Sequence, residues 1–160
     1  MLEEALALVD KIEAERVPWL PYGLVEGSEF RVLKVDETNN IVVLNFRMGP
    51  HTVTQRHDHH CTAMAYTLKG QWTYGDCVFE EGDLAFEHPG EVHQPVTRDR
   101  GVELLTILIG GRGNRKLLQN YEEDGSTYVL GVRFFKAVER ITPAELSAIE
   151  LSSLLDPSCT

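Results

Sequence analysis

An all-β barrel or sandwich with a short helix at each end is the fold this sequence predicts, and three observations predict it. Short apolar runs recur between residues 30 and 109, each bounded by turn residues such as Asp36–Asn40, Gly70, Gly75 and Gly82. A helical apolar period shows only near the two ends. Residues 57–93 open with a His-x-His pair and close with a lone His, and two His at i and i+2 of a strand point to one face.

The elements follow in order. Leu2, Leu6, Val9 and Ile12 fall on one stripe with Glu3, Glu4 and Glu13 off it, so an amphipathic helix is expected over 2–15, within an N-terminal segment 1–18. Pro18 and Pro21 end it and give Pro18-Trp19-Leu20-Pro21 an extended reading. Strands are expected at 30–35 (FRVLKV) and 41–47 (IVVLNFR), joined by the turn DETNN. In the second strand Val42, Leu44 and Phe46 share one face, Asn45 and Arg47 the other. Residues 53–59 lead into the His pair. Residues 63–69 and 71–75 read as a hairpin about Gly70, followed by short strands at 77–80 and 84–87. The run ELLTILI at 103–109 reads as a buried strand. Gly110-Gly111-Arg112-Gly113-Asn114 lacks the GK[ST] of a phosphate loop and reads as a turn. Residues 128–138 suit strand and helix alike. Thr142-Pro143-Ala144-Glu145 is a capping box with Pro at the first helical position, and Leu146, Ile149 and Leu151 or Leu154 supply the apolar face. The expected organisation is a β-barrel over 19–140 with a C-terminal helix and tail over 141–160.

Charge narrows the function. The 160 residues hold 15 Lys and Arg against 25 Asp and Glu, a formal net charge of −10. Nucleic acid and anionic membrane surfaces both call for a basic footprint, so neither is an expected partner. Three cysteines, Cys61, Cys77 and Cys159, with no CxxC, favour reduced thiols and a cytoplasmic setting. The acidic amphipathic N-terminus has no basic start or long apolar run, so no signal peptide or spanning helix is expected.

His57, His59 and His93 are the candidate metal ligands. One ion with metal–N bonds of roughly 2.0–2.1 Å takes both rings of the pair, a third imidazole completes one side, and the other side stays open. Alternation sends His60 to the opposite face. Cys61 has the parity of the ligands but reads more simply as a small buried hydrophobe. His51 and His88 fall in loops and read as turn residues. Gln55, two before His57, is expected to share its face and to reach a bound substrate or dioxygen, or else a backbone group. Arg47 is a candidate anchor for a carbonyl or anion, or a surface ion-pair partner. Thr67 and Thr106 line the pocket or simply build strands. Trp72 and Tyr74 read as packing.

With these residues in view, residues 51–97 resemble the two boxes of the cupin superfamily, whose members are jelly-roll (double-stranded β-helix) barrels. The first box is matched by His51-(x5)-His57-Asp58-His59-(x3)-Ala63-(x6)-Gly70, with His51 in place of Gly and Ala63 in place of Glu. The second is matched by Gly82-(x5)-His88-Pro89-Gly90-Glu91-Val92-His93-(x3)-Thr97, with Pro displaced by one and Thr97 in place of Asn. Ala63 cannot bind metal, so the resemblance implies a three-His site. That is similar to the three-His iron cupins, in particular the 2,4'-dihydroxyacetophenone and acetylacetone-cleaving dioxygenases. Trp19-Leu20-Pro21, Asn45-Phe46-Arg47 and the 87–93 run carry this finer resemblance.

The resemblance implies a single-domain cupin that holds one divalent ion, Fe(II), with Zn or Ni as ions found after purification. It further implies a dioxygenase that cleaves a C–C bond in a small β-diketone or hydroxyketone, with a carbonyl substrate and dioxygen as partners and a homodimer or higher oligomer as the assembly. The alternatives are a non-catalytic zinc cupin acting as a sensor, a metal-dependent isomerase or decarboxylase, which keeps the Glu that is Ala63 here, and a sugar-binding or storage cupin without metal.

Overall fold

A computed structural model describes residues 9–23 and 25–156. Ten strands and two short helices follow in order: β1 (Leu20–Pro21), β2 (Ser28–Asp36), β3 (Ile41–Met48), β4 (Arg56–His59), β5 (Thr62–Tyr74), β6 (Cys77–Glu80), β7 (Leu84–Glu87), β8 (Val102–Ile109), β9 (Lys116–Tyr121), β10 (Thr127–Gly131), α1 (Val132–Ala137) and α2 (Pro143–Ser147). They form two antiparallel sheets. The larger runs β1-β2-β3-β8-β5-β6, with β7 on the free side of β5, and the smaller runs β10-β9-β4. Single bridges, Val53 to Val96, His57 to His93 and Thr73 to Val96, tie the loops between the sheets. This is the double-layered β architecture expected from the sequence.

The apolar alternation places the core between the sheets. On β3, Val42, Leu44 and Met48 are buried, and Asn45 is buried on the other face. Val32, Val42, Leu108, Leu117, Leu118, Val132 and Phe135 belong to the main cluster. Met48, Ala65, Trp72, Ala85, Val102 and Leu104 form a second. Burying such side chains stabilises the fold by roughly 1.5–3 kcal/mol each for the larger ones.

Two expectations change, one open reading is settled and one strand is new. Residues 63–69 and 71–75 are not a hairpin but one strand of 13 residues. Gly70 has φ 87°, and a Cβ there would overlap the carbonyl oxygen of Gly101. The strand bends at Gly70, beside the register shift between Thr67 and Lys69, and runs on without reversing. The reversal comes at Gly75-Asp76, where β5 pairs with β6 from Tyr74–Cys77 to Gln71–Glu80. Residues 2–8 of the expected N-terminal helix lie outside the described residues; residues 9–13 carry no helix, and Ala14–Arg16 form one 3-10 turn.

Residues 128–138 are strand and then helix, changing at Gly131. A Cβ on Gly131 would collide with the Arg115 carbonyl and the Asp156 carboxyl, so the chain turns there without one. α1 then buries Val132, Phe134 and Phe135, and Phe134 stacks on Phe30 with centroids 6.4 Å apart. β9 has no apolar period in the sequence. Its four central residues, Leu117 to Asn120, are all buried, so it shows no alternation. The capping box is present as expected, Thr142 and Glu145 each accepting from the other's backbone N–H, although α2 spans only five residues.

Candidate metal centre and cavity

β4 sets two of the three imidazoles. It pairs with β9, His57 opposite Asn120 and His59 opposite Leu118, so both His project from one face of the smaller sheet. His93 reaches the same place from the long connection between β7 and β8. Two backbone hydrogen bonds lock it to His57: the His57 N–H donates to the His93 carbonyl at 2.9 Å, and the His93 N–H donates to the His57 carbonyl at 2.8 Å. One ligating atom from each ring lies within 4.8 Å of the others. Ring centroids are 5.1 Å apart for His57–His59, 4.3 Å for His57–His93 and 5.1 Å for His59–His93.

The rings are prepared as donors of lone pairs. The Nδ1 of His57 lies 2.7 Å from the Gln55 carbonyl, and the Nδ1 of His93 lies 3.0 Å from the Glu91 carbonyl. A carbonyl accepts only, so each Nδ1 carries the proton and each Nε2 is left bare. Burial, with the neighbouring imidazoles His59 and His93, pushes His57 down to about 3. Burial also holds His93 below its usual range. Both rings are therefore neutral at pH 7, as metal ligation requires. His59 Nδ1 and Nε2 and His93 Nε2 are buried without a hydrogen-bond partner. Buried nitrogens of this kind cost free energy unless something accepts or uses them. A divalent ion fits that need, and three imidazoles suit Fe, Zn, Ni, Cu or Co.

Glu87 lies against this cluster. Its side chain is 10% exposed, and its Oε2 lies 3.3 Å from His59 Nε2 while Oε1 lies 3.4 Å from His93 Nε2. The route from the sequence is cross-strand pairing: Glu87 on β7 stands directly opposite Ala63 on β5. Ala63 is the position where the cupin box carries its Glu. A carboxylate from the neighbouring strand therefore stands beside two of the three expected imidazoles. Two donors at the tetrahedral angle on bonds of ~2.1 Å stand about 3.4 Å apart.

Beside these groups, between the sheets, lies an apolar cavity. Phe30, Leu44, Phe46, Leu104, Leu118 and Phe135 supply much of its wall, and His57, His59, Glu87 and His93 its charged and imidazole end. Ala65 lines it, and Ala63 and Ala85 are also small on the inward faces of β5 and β7, which leaves the space open. Among the described residues no Lys or Arg lines it.

The remaining candidates fall elsewhere. Gln55 turns out to donate to the Tyr121 carbonyl at 2.6 Å, in an outer groove with Arg56 and Glu122. β4 begins only at Arg56, so strand parity does not extend back to Gln55, and Thr54 lines the cavity instead. Arg47 pairs with Glu29 at 2.7 Å and lies 4.1 Å over the Trp19 ring, on the outward face of β3. His60 turns away as expected, its Nε2 2.9 Å from Gln119 Oε1. Cys61 is buried, donates to the Leu117 carbonyl at 3.3 Å, and has its thiol pushed up to about 12 by burial, so it stays protonated. His51 sits in a loop at φ 53°, and His88 packs against Phe86. Thr67 is fully buried and accepts from Trp72 Nε1 at 3.0 Å; Thr106 and Trp72 both line the cavity. The Tyr74 ring lies 4.5 Å from His93.

Residues 9–110 match the model of a family described as the ChrR cupin-like domain. A cupin-like protein of unknown function from Ralstonia eutropha JMP134 is 25% identical, with 82% of this chain and 78% of that one covered and a TM-score of 0.62. An acetylacetone dioxygenase from Acinetobacter johnsonii is 13% identical over 81% of this chain and 88% of that one, with a TM-score of 0.63. The anti-sigma factor ChrR of Rhodobacter sphaeroides, solved in complex with SigE, is 18% identical over 57% of this chain and 49% of that one, with a TM-score of 0.51. No curated protein matches the chain.

Proposed function

Since the chain belongs to the ChrR cupin-like domain family, a metal-holding cupin is the starting point, and we propose that it is an Fe(II)-dependent dioxygenase that cleaves a C–C bond in a small β-diketone or hydroxyketone. The observation that carries this reading is the apolar cavity beside His57, His59, His93 and Glu87. A structural ion needs ligands, whereas a cavity of this lining suits a bound organic molecule.

In this reading His57, His59 and His93 hold the ion, with Glu87 as a further donor. Iron bound there would supply the redox chemistry with dioxygen. The chain does the rest. Phe46, Leu104 and Phe135 exclude water and fix the ketone. The carbonyls of Gln55 and Glu91 hold the His57 and His93 rings in their tautomer and orientation. The Glu87 carboxylate reduces the net charge left for a substrate anion to balance.

Glu87 also favours a second reading. Three imidazoles and a carboxylate close a tetrahedral zinc site, as a sensor module would need. Metal analysis with oxygen uptake separates the two. The enzyme reading expects iron-loaded protein to consume oxygen when offered a diketone or hydroxyketone. Tightly held zinc with no oxygen uptake across such a panel, iron-loaded or not, sinks it and supports the sensor.

For assembly, we propose that two copies pair through the outward face of the larger sheet. Two adjacent ladder rows there are apolar: Leu105–Tyr66–Leu84 and Val43–Ile107–Met64–Phe86. Tyr66 is 42%, Leu84 53% and Phe86 54% exposed. The two aromatics alone offer on the order of 100 Å² each, and a stable dimer needs about 800 Å² per partner. The row beside them, Glu29–Arg47–Glu103–Lys69, alternates in sign and so complements itself about a twofold axis. Sedimentation should show a dimer that added salt tightens, because copies at −10 repel. The Tyr66→Glu, Phe86→Glu pair should be a folded monomer. A wild-type monomer, or a dimer that survives both changes, overturns the pairing.

A further inference from the structure

We propose that the Thr106 hydroxyl reads an oxygen substituent on the part of the substrate remote from the metal; this rests on the enzymatic reading above. Three hydroxyl residues line the cavity: Tyr22, Thr54 and Thr106. Two are engaged. Thr54 Oγ1 donates to the Pro95 carbonyl at 2.9 Å, and the Tyr22 hydroxyl donates to Asn120 Oδ1 at 3.4 Å. The Thr106 hydroxyl makes no hydrogen bond to any described residue, although its backbone is paired in the sheet on both sides.

Folding gives no reason for that hydroxyl. Thr106 stands in the middle of β8, flanked on the same inward face by Leu104 and Leu108. Its cross-strand neighbours are Leu44 on β3 and Ala65 on β5. Valine has the same shape and an equal preference for strands, and it would leave no polar group against apolar walls. The hydroxyl is therefore available to a ligand.

Its place in the sheet sets the kind of ligand. Glu87 pairs with Ala63, and Ala63 pairs with Leu108, so Thr106 lies two strands across and one inward position along from Glu87. Strand spacing and pleat put those backbones roughly 12 Å apart. The two side chains shorten that gap to the length of one ring or a short chain, over the small Ala65. With no Lys or Arg in the wall, a terminal carboxylate has no partner there. The ligand class is a neutral ketone that chelates metal at one end and carries a hydroxyl or carbonyl oxygen at the other.

The test uses metal-loaded protein and a matched pair, 1-phenylbutane-1,3-dione and its 4-hydroxyphenyl counterpart. Binding is read by quenching of Trp72, which lines the cavity, and turnover by oxygen uptake. Wild type should favour the hydroxylated compound by roughly five- to tenfold, the worth of one neutral hydrogen bond. Thr106→Val should lose that preference, keep its affinity for the plain compound, and melt no lower than wild type. A wild type that binds both compounds equally, or a Thr106→Val that keeps the preference, overturns the role of Thr106 alone. If wild type binds and turns over neither compound, the ketone-cleaving reading falls, and the role of Thr106 falls with it.

Discussion

Alanine at His59 is expected to remove bound metal from about one ion per chain to less than roughly a tenth of that after dialysis. His59 is 4% exposed, and both its ring nitrogens lack a hydrogen-bond partner. The change deletes one of three imidazoles that meet within 4.8 Å. Loss of groups that only orient a ligand already costs 10–100-fold in affinity, so loss of the ligand itself costs more. Metal-free protein should tolerate the change, because the His59 ring makes no hydrogen bond and alanine forfeits only its 3.3 Å contact with Glu87. The paired readout is thermal. Metal should raise the melting temperature of wild type by binding the native state, and His59→Ala should show almost no such rise. If His59→Ala keeps wild-type stoichiometry and a wild-type rise, the ion sits elsewhere.

The imidazole cluster was legible because strand parity is local. His57 and His59 are two apart on one strand, and the Pro89-Gly90 turn before His93 marks a chain returning to the same end of the sheet. The backbone pairing of His57 with His93 is what makes the long connection exact. Parity failed where it was carried past a strand end: Gln55 precedes β4, and Cys61 follows it in the turn to β5. Gly70 misled for a different reason. A glycine that reverses a chain and a glycine that admits a bulge look alike until the close approach of Gly101 is known. β9 hid because both its faces are covered, with the polar Gln119 and Asn120 buried among them. Glu87 was in plain sight, yet its relation to Ala63 depends on cross-strand register 24 positions apart, and register is a property of the assembled sheet.

Glutamine at Glu87 is the change that decides what the carboxylate does. Among the described residues no Lys or Arg lines the cavity beside this 10% exposed carboxylate, so a cation at the His cluster would be its charge partner. Its oxygens stand 3.3 and 3.4 Å from the Nε2 atoms of His59 and His93, the separation expected between donors on one ion. Glu87→Gln keeps the shape and removes the charge. Metal affinity should fall by roughly 10–100-fold without vanishing, since three imidazoles remain. Metal-free protein should melt at or above the wild-type temperature, because a buried charge is gone. The metal-induced stabilisation should shrink by about 1.4 kcal/mol for each tenfold of lost affinity, measured at a fixed metal concentration well above the dissociation constant. A merely structural Glu87 predicts the reverse pattern: metal-free protein weakened and metal affinity untouched. That result would return the site to three imidazoles with an inert neighbour.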